Sequence, residues 1–343
     1  MSTVSIRDVA RVAGVSTATV SNVLNESRPV TEATRQRVLA AVERLGYRPN
    51  VMARSLQAQR SFLIGYSWPD APPDQGSPVL DRFIHSMGRA AYEAGYHLLA
   101  FPSERDELTV YHDLVKTNRV DGIVLSAVDI DDARVSYLAA TAMPFVSFGR
   151  ASDQDDPPIA WVDVDGQAGV RRAVQHLAAQ GYERIGMLAW PRGSRSGEDR
   201  LAGYRAGLVE IGQPFDERLV VRVKHDSADA ARGARRLLAL PEAARPDAFV
   251  CVSDLVAVGA IHAVRDAGLR VGPDVGIVGF DDVPMAELLT PPLTTLHQPV
   301  DEIGTVIIRQ LTALINGETL PPEAAHILLE PELVIRASSR RSA

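Results

Sequence analysis

The stretch from Ser5 to Asn25, SIRDVARVAGVSTATVSNVLN, decides how the rest of the chain is read. Ile6, Val9, Ala10 and Ala13 recur at i, i+3, i+4 and i+7, which gathers one apolar helix face and leaves Arg7, Asp8 and Arg11 on the other. Ser5 with Asp8 three residues on is a helix start. Gly14 can take positive φ at the end of that helix, and the Ser16 hydroxyl suits the cap of a second one beginning at about Thr17. In the second helix Val20, Val23 and Leu24 form the inward stripe. Thr17, Ala18, Ser21 and Asn22 face outward, small or short polar groups where a helix meant for solvent would carry Glu and Lys. A helix-turn-helix lays such a second helix in the DNA major groove, with its first residues against base edges. The alternative is a plain pair of capped helices packed on a core.

Outward from this stretch, Pro29 excludes helix from the loop ESRPV, and Thr31 caps a third helix to Leu45, with Val38, Ala41, Val42 and Leu45 on its core face and Gly46 at its end. Arg28, on the loop beside the second helix, is placed to reach a base or a phosphate, or to remain a solvated charge. The segment YRPNVMARSLQAQRS follows. Asn50 can cap a helix of about two turns, too short to be stable in water alone, so the segment reads as a hinge that orders on contact with DNA and a dimer mate, or as an ordinary linker. Leu56, apolar in polar surroundings, is suited to wedge between base steps in the minor groove. The first 60 residues hold nine arginines, no lysine and four acids, a local charge of +5. With a net charge of −7 overall, the remainder carries −12, a basic head on an acidic body.

The whole chain has 343 residues, 46% hydrophobic and 23% charged, enough for two or three packed domains and too apolar for disorder. From Phe62 onward, short apolar runs (FLIGYS, YHLLAF, GIVLSA, PFVSFG, RIGMLAW, LVVRV, AFVCVS, VGIVGF) alternate with amphipathic helices over 83–94, 169–179, 199–210, 227–240 and 254–267. That alternation predicts doubly wound parallel sheets with helices on both faces, divided into two α/β lobes because the strands are too many for one sheet. Ligands of such sheets bind beyond the carboxyl ends of the strands. The residues there are Trp68 and Asp70, Ser126, Arg150, Trp190 with Arg200 beyond it, Asp226, Ser253 with Asp254, and Asp281 with Asp282. Arg and Asp pair with hydroxyls and Trp stacks on a sugar ring, so the set suits a polyhydroxylated ligand; any one of them, Asp254 above all, can instead be a helix cap.

No nucleophile elbow, zinc-protease, P-loop or dinucleotide motif occurs, and the eight histidines are scattered without ligand spacing, so neither catalysis, a metal nor a cofactor is expected. Cys251 is the single cysteine, which leaves no disulfide framework. Arg7, Asp8 and Arg11 interrupt any apolar signal-peptide run, and no window approaches the roughly 20 apolar residues of a membrane helix, so a soluble cytoplasmic protein that does not engage the membrane is expected.

The head, SIRDVARVAGVSTATVSNVLN with RPVTEATRQRVLAAVERLGYRPNVMARSL, resembles that of the lactose-repressor (LacI/GalR) family of bacterial transcriptional regulators. HLAAQGYERIGML, DRLAGYRAGL and VSDLVAVGAIHAVRDAGLRVGPDVGIVGFDDVPMAELLTPPLTTLHQP are similar to its periplasmic-binding-protein-like core. The resemblance implies a helix-turn-helix head over 1–48, a hinge over 49–60 and a two-lobed core over 61–343, with an N-lobe of about 61–160 and 294–320 and a C-lobe of about 161–293 and 321–340. The chain would cross between lobes near 160–163, 293–296 and 320–323. Carried over by motif, Thr17, Ala18 and Asn22 would meet bases; Ser16, Thr19, Ser21, Asn25 and Thr31 would face phosphates; Leu56 would be the wedge, with Asn50 and Arg54 in the hinge helix. Arg200 and Asp281 would hold an effector, with Arg150 and Trp161 further pocket positions, while Ser253 departs from the Asn common before that Asp. The expectation is a homodimeric repressor on a pseudo-palindromic operator, released by a small carbohydrate between the lobes. The alternatives are a regulator with a co-repressor such as a purine and, from another class, a solute-binding protein for sugar uptake.

Overall fold

The computed structural model describes residues 4–25, 28–47, 59–69, 77–103, 108–151 and 159–341. They fall into two compact units, divided between Ser61 and Phe62. The hinge positions Asn50, Arg54 and Leu56, together with Asp70 and the side chain of Asn25, lie outside the described residues.

In the first unit α1 (Ile6–Ala13), α2 (Thr17–Asn25) and α3 (Glu32–Leu45) close around Val9, Ala10, Ala13, Val20, Val23, Val38 and Ala41. The caps are those the residue types dictate. The backbone N–H and hydroxyl of Ser5 both donate to Asp8 Oδ2, at 3.0 and 2.7 Å, and Gly14 ends α1 at φ 66°. Ser16 Oγ accepts from the Thr19 N–H at 3.1 Å, so α2 starts at Thr17 as expected. Thr31 caps α3 by accepting from the Thr34 N–H, and Gly46 closes it at φ 60°.

The second unit carries two parallel sheets. The first has six strands, β1 (Leu63–Pro69), β2 (His97–Ser103), β3 (Gly122–Leu125), β4 (Phe145–Phe148), β5 (Ala160–Val164) and β11 (His326–Leu329), in the order β11-β5-β4-β3-β1-β2. On one face lie α4 (Pro78–Glu93) and α11 (Val300–Ile315); on the other, α5 (Thr109–Thr117) and α6 (Ala133–Ala139) bury Tyr111, Leu114, Val135 and Leu138 against Ile123 and Leu125. The second sheet has four strands, β6 (Ile185–Ala189), β7 (Val220–Arg222), β8 (Ala248–Cys251) and β9 (Gly276–Val278), in the order β7-β6-β8-β9. Each of its faces is covered by a helix pair: α7 (Gly166–Ala179) with α8 (Arg195–Glu210), and α9 (Ser227–Leu238) with α10 (Asp254–Asp266). Both pairs approach through a glycine. A Cβ on Gly203 would sit 2.3 Å from Gln167 O, and one on Gly259 2.3 Å from Ser227 O.

A short antiparallel pair, β10 (Thr295–His297) with β12 (Glu332–Val334), extends the second lobe through bridges from Val278 to Thr294 and from Asp281 to His297. These pairings correct the expected crossings. Residues 160–164 are a strand of the first sheet, 294–297 belong beside the second, and 326–329 return to the first as its edge. The chain therefore changes lobe at about 165, 298 and 330, in each case later than expected. The first and third crossings lie side by side, where the Asp165 N–H donates to Leu329 O at 2.8 Å.

Candidate functional site

On the head, Ser16, Thr17, Ala18 and Arg28 are exposed, while Thr19, Ser21 and Asn22 are half-buried. The outward face of α2 is thus as small as its sequence indicates. Three of the hydroxyls expected to face phosphates also act locally: Ser16 Oγ and Thr19 Oγ1 lie 2.9 Å apart, as do Thr31 Oγ1 and Thr34 Oγ1.

In the second unit a cavity of about 720 Å³ opens between the lobes, at the carboxyl ends of both sheets. The N-lobe contributes the loop after β3 (127–133), Phe148 and Gly149 after β4, Asp163 at the end of β5, and the first turn of α4. The C-lobe contributes Trp190 to Ser194 after β6, Asp199 and Arg200 on α8, Lys224 and His225 after β7, and Asp281 after β9; Gln298 enters from the second crossing.

Arg200, 5% exposed, donates from Nη1 to Val252 O, and its guanidinium lies 3.6 Å from the centroid of Phe280 and 4.8 Å from that of Trp190. Asp281, also buried, accepts from Gln298 Nε2 at 2.7 Å. Its burial pushes the carboxyl pKa up to about 6, although the Arg200 charge and the Gln298 bond pull it down. His225 is held neutral, its pKa lowered by burial and then by nearby Arg200. The N-lobe wall is set by a buried ion pair: Arg134 donates from Nε and Nη2 to Asp132 at 3.0 and 2.6 Å and from Nη2 to Ser126 O and Ala127 O at 3.2 and 3.3 Å.

Of the eight expected ligand positions, Arg200 and Asp281 line the cavity. Arg150 does not; its guanidinium holds two carboxylates that do, Asp163 of the N-lobe at 2.9 Å and Asp199 of the C-lobe at 2.7 Å, so it ties the lobes together. The other five lie elsewhere. Trp161 stacks on His326 at 5.2 Å and 6°, two residues nearer the amino end of β5 than Asp163, so it sits about 7 Å short of Asp163 along the strand. Trp68 packs against the core from β1. Asp226 and Ser253 cap α9 and α10. Asp254 accepts from the Val283 N–H at 2.9 Å and from Thr295 Oγ1 at 2.5 Å, which fastens α10 to β10. Of the residues the strand-end reading passed over, Asp199, Lys224 and His225 stand within two positions of ones it named, whereas Asp163 and Gln298 lie at the lobe crossings, where no strand end was read. Among the described residues no three His, Cys, Asp or Glu side chains could hold a metal ion, and no helix is long and apolar enough to cross a membrane.

A three-helix DNA-reading head carried on a two-lobed, ligand-cleft core defines a class, the ligand-responsive DNA-binding regulator. Residues 5–50 match the lacI family of bacterial regulatory proteins, and residues 174–339 match the periplasmic binding protein-like domain. The HTH-type transcriptional repressor PurR of Photobacterium profundum is 32% identical over 339 residues, covering 97% of this chain and 98% of that one. Among solved structures, the lac repressor dimer bound to operator and the anti-inducer ONPF superposes with a TM-score of 0.81 at 30% identity, covering 98% of this chain and 99% of that one. A complex of the transcriptional regulator CelR with cellobiose does so with a TM-score of 0.73 at 31% identity, with the same coverage of each chain. The chain belongs to the lacI family of bacterial transcriptional regulators.

Proposed function

We propose that this protein is a repressor whose grip on its operator is loosened by a small carbohydrate bound between the core lobes. The observation that carries this reading is the cavity itself, whose wall takes Asp163 from one lobe and Asp199, Arg200 and Asp281 from the other. A ligand touching both walls has a different free energy in the open and closed arrangements, which is what a switch requires. Carboxylates beside a guanidinium and an indole suit sugar hydroxyls and a ring face. The likeness to a regulator bound to cellobiose supports the ligand class, and that to a repressor dimer on its operator supports two copies on pseudo-palindromic DNA. In that complex Thr17, Ala18 and Asn22 would face bases, with Ser16, Thr19, Ser21, Thr31 and Arg28 toward phosphates. No catalytic step is assigned to the cavity.

Fluorescence anisotropy on a labelled operator tests the reading, with glucose, galactose, cellobiose and glucuronate added in turn. A sugar effector weakens operator binding, by a factor within the range of about 5 to 150 usual for such coupling. Strengthened binding would make the ligand a co-repressor, and turnover of the sugar would make the core an enzyme; either result overturns the proposal.

A further inference from the structure

We propose that the effector is an anionic sugar, a polyhydroxylated ring bearing a carboxylate or a phosphate, with its anionic group against the C-lobe wall and its hydroxyls against the N-lobe wall. The proposal rests on the effector reading above and narrows it.

Among the described residues, the cavity wall contains four buried side-chain atoms without a hydrogen-bond partner: Trp190 Nε1, Arg200 Nε, and His225 Nδ1 and Nε2. All four are nitrogens. Trp190 Nε1 and Arg200 Nε can only donate, and neutral His225 offers one donor and one acceptor. The carboxylates of the same wall, by contrast, already have partners: Asp199 is held by Arg150 and Asp281 by Gln298. That wall therefore lacks acceptors. Buried donors left unmet are costly, so a shift of the wall that lets a ligand's acceptors reach them is favourable.

Charge turns an acceptor-rich group into an anion. Arg192 and Lys224 line the rim on the same lobe as Trp190 and His225, both exposed. Two flexible cations around a buried guanidinium donor match a carboxylate or phosphate. A neutral hydroxyl would satisfy the orphan nitrogens but leave both cations without a counter-charge as the lobes close. On the opposing loop Asp131 repels an anion and accepts from hydroxyls. The two walls thus select one orientation, and a ligand held that way contacts both lobes at once.

Isothermal titration calorimetry of the full-length protein tests this, with glucuronate, galacturonate and glucose 6-phosphate each run beside glucose or galactose. The proposal requires at least one of the acids to bind roughly tenfold or more tightly than its neutral counterpart, with an affinity that falls as salt rises from about 50 to about 300 mM. The double variant Arg192→Gln/Lys224→Gln should lose roughly five- to tenfold of the acid's affinity and little of the neutral sugar's. The uronates and the sugar phosphate distinguish the two anions. Acids that bind no better than their neutral partners, or not at all, overturn the proposal; neutral sugars binding alone would leave the carbohydrate reading standing, whereas binding of guanine or hypoxanthine alone would remove both.

Discussion

Arg200 keeps its charge in a place that disfavours charge. Burial pulls its pKa down, and the carboxylates of Asp281, Asp163 and Asp199 hold it up. Asp281 answers it from backbone at φ 123°, a conformation side-chain-bearing residues rarely adopt, kept there as its N–H donates to Leu296 O at 2.8 Å. The raised pKa of Asp281 has a thermodynamic consequence. Its ordinary value is 3.8, so between about pH 4 and 6 the unfolded chain has lost this proton while the folded one keeps it. The group's contribution to stability is therefore fully present below about 4 and is lost as pH rises to about 6. Asp281→Asn should remove that slope, so that thermal unfolding temperatures of variant and parent diverge across this window; parallel curves would show that Asp281 titrates as an ordinary carboxyl. Asp281 was legible in the sequence because it stands just beyond an apolar strand, and Arg200 because the DRLAGY motif that carries it is similar to the family's. Trp161 misled because motif position says nothing of how far along β5 a side chain leaves the strand.

At the scale of elements, helix first turns supply part of the cavity wall beside the loops, and these turns were poorly legible. The sequence periodicity starts helices at Phe83, Gly169 and Asp199, whereas α4, α7 and α8 begin at Pro78, Gly166 and Arg195. The opening turns of α7 and α8 are small, polar or charged and carry no apolar stripe, that of α4 begins with Pro78, and all three are held by caps: Ser77 Oγ accepts from the Leu80 N–H, Asp165 Oδ1 from Ala168, and Ser194 Oγ from Gly197. The eight long apolar runs were all legible, since a strand buried on both faces has no polar residues to interrupt it. Strand β5 was not, because it lies where a crossing is expected, nor were the short strands β10, β11 and β12, three or four residues of mixed polarity whose partners are distant in sequence. The loop after β3 likewise depends on a distributed set of bonds, those of Arg134, 1% exposed, to Asp132 and to the carbonyls of Ser126 and Ala127. Arg134→Met would leave the Asp132 carboxylate buried without its cation, at a cost of about 3–5 kcal/mol. Denaturant unfolding reads this directly, and a loss under about 1 kcal/mol would mean that the pair is not what holds the loop.

For the whole molecule, three crossings join the lobes, and the cavity lies between them. Arg150 bridges the lobes by bonding Asp163 and Asp199 at once, with Arg195 also on Asp199 at 3.2 Å. An effector reaching both walls changes the balance between arrangements of the lobes, and the same balance must set operator affinity if the core governs the head. Linkage then runs both ways. The direct measurement is the affinity of the full-length protein for the tightest-binding sugar of the panel, taken by calorimetry with and without saturating operator duplex. The account predicts that operator weakens sugar binding by the same factor by which the sugar weakens operator binding; an affinity unmoved by operator, at a sugar that fills the cavity, would contradict it.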